Sequence, residues 1–376
     1  MLKRKEIQDI VGEYEGGLTI GIFGSHSAKE VGMAAKKAGF RTAIVVETGR
    51  DEFYAKYYRH LYDEVIRVPR FRNILTEEVQ TSLRELNTVF IPNRSFSVYV
   101  GYDGIEKEFR VPMYGNRFIL RAEDRKDERG QYHILKKAGI RTPKEFSRPE
   151  EIDRLCIVKA QQAANVLERA FFYANTPEDY RSQAQKLLDK GVINEAGLAE
   201  ARIEEYVLGS RFNANFHGYA LTDVFGDFDL AGFSDRRQVN LQGFLNLPAM
   251  DQLKIKDPVK NEEIGHYGIT MRESKQPLVF DAAYRFRRVV EEEYPPAMIG
   301  PFALQGAMAY DPSGKLEFVV FDVSPRVPGD PAMGPTSPEM RNLSLKYDRA
   351  IEDPLDMGMM EIEKAMELGR LREIVT

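Results

Sequence analysis

The stretch Leu18-Thr19-Ile20-Gly21-Ile22-Phe23-Gly24-Ser25-His26-Ser27 decides the fold. Leu18–Phe23 reads as a short buried strand. Gly24-Ser25-His26-Ser27 turns the chain, and a helical pattern follows to Ala38, where Gly39 ends it. Thr42–Val46 is a second apolar strand. Strand, turn, helix and strand in that order are the signature of a parallel sheet. Working outward, strands are expected at Glu64–Val68, Thr88–Ile91 and Arg110–Met113, with a helix at Glu77–Leu86. The N-terminal part therefore reads as one open α/β domain.

The remainder has a different texture. Leu120–Lys137 is charged and helical, closed by Ala138-Gly139, and Ile140-Arg141-Thr142-Pro143 reads as an extended linker. Cys156–Lys159 is a short strand ending in a lysine, and Ala201–Leu208 is another. Phe212–Tyr219 and Phe228–Phe233 alternate as antiparallel strands do. A helix at Asp281–Glu293 precedes Pro295-Pro296. Strands at Phe302–Ala309 and Leu316–Val323 flank the turn sequence Asp311-Pro312-Ser313-Gly314. A C-terminal helix is expected from Pro354 to Glu373.

Composition narrows the function classes. With 376 residues, 43% hydrophobic and 30% charged, the chain can bury more than one core. A net charge of −5 disfavours nucleic-acid binding by bulk charge. One cysteine, Cys156, excludes an intrachain disulfide framework and a multi-cysteine zinc site. Met1-Leu2-Lys3-Arg4-Lys5-Glu6 does not open a signal peptide, and no apolar run long enough to span a membrane is present. A cytoplasmic setting with no membrane partner is expected.

Several residues could carry chemistry. Ser25 and His26 lie where the first strand meets its helix, where anions bind in open α/β sheets. The alternative is an ordinary helix cap beside an exposed histidine. Gly115-Asn116-Arg117 places an arginine for a phosphate, or is a turn with a solvated side chain. Lys159 ends an apolar strand as a phosphate contact does, or snorkels at an edge. Glu204-Glu205-Tyr206-Val207 suits a strand edge facing a nucleoside, or is half-exposed. Gln305 and Asp322 sit on apolar strands and suit Mg²⁺, which prefers oxygen. The alternative is a structural salt bridge from Asp322 to Arg326. Walker, G-x-G-x-x-G, H-E-x-x-H and G-x-S-x-G motifs are absent.

Taken in order, these markers resemble the archaeal formate-dependent ATP-grasp ligases of purine biosynthesis. The resemblance rests on Gly24-Ser25-His26-Ser27, Val111-Pro112 with Gly115-Asn116-Arg117, Ala138-Gly139-Ile140-Arg141, Val158-Lys159 and Glu204-Glu205-Tyr206-Val207. It continues through Arg236, Asn240, Pro248-Ala249, Arg272-Glu273-Ser274, Gly300-Pro301-Phe302, Leu304-Gln305, Ser324 and Arg326. It implies an α/β and α+β fold: an N-terminal pre-ATP-grasp open parallel sheet (1–122), then a small (123–210) and a large (211–376) ATP-grasp subdomain. Members formylate aminoimidazole carboxamide ribonucleotide with formate, ATP and Mg²⁺ through a formyl phosphate. Carried over, Ser25, His26, Ser95, Asn116, Arg117 and Asn240 would bind substrate, and Arg236 and Arg326 would act in catalysis. Lys159, Glu204, Glu205, Tyr206 and Val207 would hold ATP, and Gln305 and Asp322 the metal. The partners implied are the ribonucleotide and formate, with assembly as a homo-oligomer or with an active paralogue.

The chain also departs from that pattern. The stretch from Ala160 to Ala170, where the family has a glycine-rich phosphate loop, holds no glycine. His133 replaces a lysine, Asp322 and Gln238 replace glutamates, and Asn93-Arg94 replaces His-Gly. An active ligase, a catalytically degenerate binding paralogue and a ligase for another substrate all remain open on the sequence.

Overall fold

Four parallel strands form the first sheet: β1 (Thr19–Phe23), β2 (Arg41–Glu47), β3 (Glu64–Val68) and β4 (Thr88–Ile91), in the order β3-β2-β1-β4. The computed structural model describes residues 1–124, 127–163, 169–238, 243–255, 263–311, 313–327 and 337–376. Both faces of this sheet are covered, so side chains alternate between two cores. Ile20, Ile22, Ile44, Val46, Val89 and Ile91 share one core with Met357, Met360 and Ile362 of the helix Asp356–Glu367. Phe23, Ala43, Val45 and Phe90 face the other, with Phe71, Phe96 and Phe109.

The chain divides into two compact units: 1–140 with 211–306 and 322–376, and 141–210 with 307–321. Besides the parallel sheet, the larger unit carries most of a second one. Its strands are β9 (Ser210–Gly218), β10 (Phe228–Gln238), β11 (Glu263–Ile269), β12 (Gly300–Tyr310) and β13 (Leu316–Ser324), ordered β11-β10-β9-β12-β13. The smaller unit contains β5 (Glu145–Phe146), β6 (Cys156–Gln161), β7 (Arg169–Ala174) and β8 (Arg202–Glu205), ordered β5-β8-β6-β7. Its helix Pro177–Asp189 begins with Thr176 accepting from the Asp179 N–H at 3.1 Å and Pro177 in the first turn. Cys156, Val158, Phe172, Ala174 and Ile203 form its core with Tyr180 and Ala184.

Three expected elements differ. Arg110–Met113 is no strand: Met113 makes an isolated bridge to Phe90, since Pro112 has no N–H to extend a ladder. Leu120–Lys137 is not one helix but a 3₁₀ stretch, Arg117–Glu123, and a separate helix, Gln131–Lys137. The C-terminal helix stops at Glu367, because Gly369 turns the backbone at φ +66°, and Leu371–Ile374 is separate.

Candidate functional site

The order β3-β2-β1-β4 has a switch point between β1 and β4, where successive connections leave in opposite directions. Ligands of open α/β sheets bind outside the carboxyl ends of strands at such a point. Gly24 leaves β1 so tightly that a Cβ there would lie 2.5 Å from Val46 Cγ1. Ser25 and His26 follow, and Ser27 takes a left-handed conformation (φ 65°) before the helix Ala28–Lys37. Such a residue costs about 1–2 kcal/mol, and backbone strain of this kind clusters at functional sites. The loop after β4 answers it. Ser95 Oγ donates to Ser25 Oγ at 2.8 Å. Buried Asn93 donates to the carbonyls of Phe23 (3.1 Å) and His26 (2.8 Å) and accepts from the Phe96 N–H (3.0 Å). A cavity of about 400 Å³ opens beside Ser25, His26, Arg50, Phe53 and Tyr54.

Asn116 and Arg117 are placed elsewhere, away from the contact with a phosphate expected of Arg117 and the contact with substrate expected of Asn116. Arg117 is 0% exposed and donates to the carbonyls of Ile105, Phe109, Val111 and Thr376 at 2.5–3.2 Å. Asn116 donates to the carbonyls of Tyr294 (2.6 Å) and Ala297 (2.8 Å) and accepts from the Phe118 N–H. Both side chains are engaged inside the fold.

In the smaller unit, strand alternation decides which carboxylate faces a ligand. Lys159 is ion-paired with Glu204, and both side chains are largely buried. Phe171 lies opposite Lys159, and Tyr173 opposite Ile157; both aromatics remain about half exposed. Tyr173 meets the Tyr206 ring edge-on at 5.3 Å. This face offers a cation, a carboxylate and an aromatic wall, the features a nucleotide needs. Glu205 necessarily turns to the other side. It accepts from Arg141 Nη2 at 2.8 Å and from the Lys144 N–H at 2.9 Å, so its carboxylate is off the Lys159 face where its expected role in holding ATP would need it. Tyr206 and Val207 lie beyond the end of β8, half-buried.

A polar row crosses the second sheet in the larger unit. Asn213 on β9 lies opposite Ser234 on β10, and the Nδ2 groups of Asn213 and Asn215 approach Ser234 Oγ at 3.3 and 3.4 Å. Two residues along β10, Arg236 Nη2 donates to Gln305 Oε1 at 2.5 Å. Gln305 Nε2 donates to Ser324 Oγ at 3.0 Å. Asn213, Asn215 and Ser234 were not anticipated, although Phe212-Asn213-Ala214-Asn215-Phe216 alternates clearly. Arg326 pairs with Glu123 rather than with Asp322, and Arg94 reaches the same carboxylate at 3.2 Å. Burial works against the Arg94 charge, yet Glu123, Tyr102 and Asp322 hold its pKa above the usual value. Asp322 is half-buried, and Asn240 lies outside the described residues. Among the described residues no three His, Cys, Asp or Glu side chains gather as a metal cluster, and no helix is long and apolar enough to cross a membrane.

Two family descriptions match the chain: a domain of unknown function (DUF1297) over residues 179–376, and a protein of unknown function (DUF1246) over residues 20–146. The 5-formaminoimidazole-4-carboxamide-1-(beta)-D-ribofuranosyl 5'-monophosphate synthetase of Methanopyrus kandleri is 37% identical over 381 residues, covering 100% of both chains. Among solved structures, an IMP biosynthesis protein, PurP, from Thermococcus kodakaraensis superposes with a TM-score of 0.68 at 22% identity. It covers 95% of this chain and 100% of that one. The ADP complex of an N5-carboxyaminoimidazole ribonucleotide synthetase, purK, gives 0.56 at 14% identity, over 84% of this chain and 72% of that one. The fold is ATP-grasp, and the chain belongs to the 5-formaminoimidazole-4-carboxamide-1-(beta)-D-ribofuranosyl 5'-monophosphate synthetase family.

Proposed function

We propose that this chain is the ATP-dependent ligase of purine biosynthesis that joins formate to aminoimidazole carboxamide ribonucleotide. The observation that carries this is identity of 37% to a named synthetase along the entire chain. The geometry is of the right kind. Formate acylates poorly until phosphorylation supplies a leaving group, so the protein must hold anions and neutralise developing charge. Arg236 supplies a cation for formate or its acyl phosphate, with an incoming anion replacing Gln305 on it, and Arg326 would join by leaving Glu123. Lys159, Glu204 and the Phe171–Tyr173 wall suit ATP. The crevice of Ser25, His26 and Ser95 suits the ribonucleotide. The division into 1–122, 123–210 and 211–376 is part of this reading.

Mg²⁺ fits the donor chemistry through Asp322, because this ion needs one or two carboxylates when phosphates complete its shell. Gln305 would join only by turning its oxygen from Arg236. When bound, the ion would neutralise charge on the transferring phosphoryl group. A second reading, a paralogue that binds without turnover, is favoured by the glycine-free stretch Ala160 to Ala170. The test is incubation with Mg·ATP, ¹³C-formate and the ribonucleotide. Labelled formyl product, with ADP release requiring both co-substrates, is expected. Ribonucleotide binding without ADP release would establish the second reading instead.

A further inference from the structure

The cavity beside Ser25 and His26 has one wall that neither the sequence motifs nor the family likeness assigns. Its cation is Arg50, which follows the carboxyl end of β2 as Ser25 follows that of β1. The guanidinium lies over the rings of Tyr99 (5.4 Å) and Phe71 (5.7 Å), and Nη1 donates to Tyr99 Oη at 3.1 Å. Neutral rings thus hold it in place, with the Glu47 carboxylate acting from beyond ion-pair distance, and among the described residues no carboxylate is ion-paired with it. The other basic side chain on the wall, Lys29, lies 3.6 Å from Glu30. The helix Ala28–Lys37 begins at the same cavity, with no side chain capping it. A cavity of about 400 Å³ falls within the usual range for small-molecule sites.

We propose that Arg50 is the residue that selects for a phosphomonoester in this cavity, gripping the 5'-phosphate of the ribonucleotide. This rests on the substrate reading above. An arginine fork matches a phosphate dianion bidentately, and stacking fixes the fork before the ligand arrives. Ser25 Oγ and the N–H groups of Lys29 and Glu30 at the start of the helix would complete the donor set, the Ala28 N–H being taken by the Ser25 carbonyl at 2.9 Å. Selection would then be for the phosphate, and the nucleoside without it would bind poorly.

Calorimetric titration of the full chain tests this with three probes: aminoimidazole carboxamide ribonucleotide, its riboside and inorganic phosphate. The proteins are the wild type, Arg50→Met, which keeps an apolar stem on the two rings, and Arg50→Lys. The ribonucleotide is expected to lose about 30-fold in affinity in Arg50→Met, a typical value for a charge-assisted pair. The riboside should change less than about threefold, and Arg50→Lys should fall between. Matched melting temperatures establish that the variants fold. Wild-type affinity for the ribonucleotide in Arg50→Met would overturn the role of Arg50 and leave the substrate reading intact. Phosphate bound by the wild type and lost in Arg50→Met, with no binding of the ribonucleotide, would support Arg50 and overturn the substrate reading. A wild type that binds neither overturns both.

Discussion

Arg117 Nη2 donates at 2.5 Å to the main-chain oxygen of Thr376, a residue 259 positions further along the chain. Thr376 is itself buried: its Oγ1 donates to Gly115 and accepts from the Arg117 N–H, each at 2.9 Å. The pair ties the loop after Met113 to the last residues of the chain. Replacing Arg117 by Met leaves four carbonyls without this donor. A loss of about 3 kcal/mol is expected, since orphaned buried groups cost about 1–3 kcal/mol each and some relax. The check is the urea midpoint, read beside ribonucleotide affinity in the folded protein, which should be unchanged. Unaltered stability with abolished affinity would return Arg117 to the ligand site.

Asn93 makes the opposite case, a residue whose structural bonds shape the crevice. Asn93→Ala removes a helix cap, worth about 1 kcal/mol, and two ties to the β1 loop. About 2 kcal/mol of stability and tenfold in ribonucleotide affinity should be lost. Asn93→Asp is the harsher variant. It keeps an oxygen for the Phe96 N–H but presents a buried carboxylate to the carbonyls of Phe23 and His26, which costs more than the cap returns. Stability should fall below that of Asn93→Ala and affinity should not recover; wild-type affinity in either folded variant would show that the β1 loop does not depend on Asn93.

The parallel sheet was legible because β1, β2 and β4 are apolar runs divided by a turn that needs Gly24. The fate of Arg117 was not. Gly115-Asn116-Arg117 reads locally as a phosphate motif, while one of its acceptors is Thr376, brought close only by the fold. Glu204 and Glu205 are neighbours in one motif that reads as facing a nucleoside, yet the period of two in a strand sends them to opposite faces. Asn213 and Asn215 look like the solvent side of an amphipathic strand. They are buried because Ser234 on the next strand lies against them. Phe171 escaped notice because Ala170-Phe171-Phe172 is apolar throughout and its period does not tell the exposed ring from the buried one.

His217 gives the stability a pH dependence. Its ring is fully buried, and desolvation pushes its pKa down to about 3. Nε2 lies 2.8 Å from Tyr114 Oη, which also donates to Glu361 at 2.7 Å. The unfolded chain takes up the His217 proton near pH 6.5 and the folded chain does not. The contribution is therefore fully present above pH 6.5 and is lost as pH falls toward 3, by about 2 kcal/mol at pH 5. Buried Glu361 acts in the opposite sense, because burial raises its pKa. Comparison with His217→Gln isolates the histidine. Between pH 7 and pH 5 the wild type should lose about 2 kcal/mol more than the variant by urea unfolding; equal losses would show that His217 is protonated inside the fold.

The nucleotide face of the smaller unit can be read directly, because the chain contains no tryptophan. Phe171→Trp places one indole opposite Lys159, on a strand where Phe171 is already 52% exposed, so the larger ring meets no packed core. A purine seated against the Phe171–Tyr173 wall would stack on that indole and change its emission. Saturable quenching by Mg·ATP is therefore expected. The Lys159→Gln change in the same background should weaken it at least tenfold, since it removes the cation that meets a phosphate and keeps the Glu204 carboxylate on the same face, with Arg202 at 3.7 Å. Adenosine should quench with an affinity that Lys159→Gln leaves unaltered or improves, because it carries no phosphate for the lysine to hold. Quenching by ATP that ignores Lys159 would place the triphosphate elsewhere. No quenching by either ligand, in a variant that melts like the wild type, would mean that this face does not hold the nucleotide.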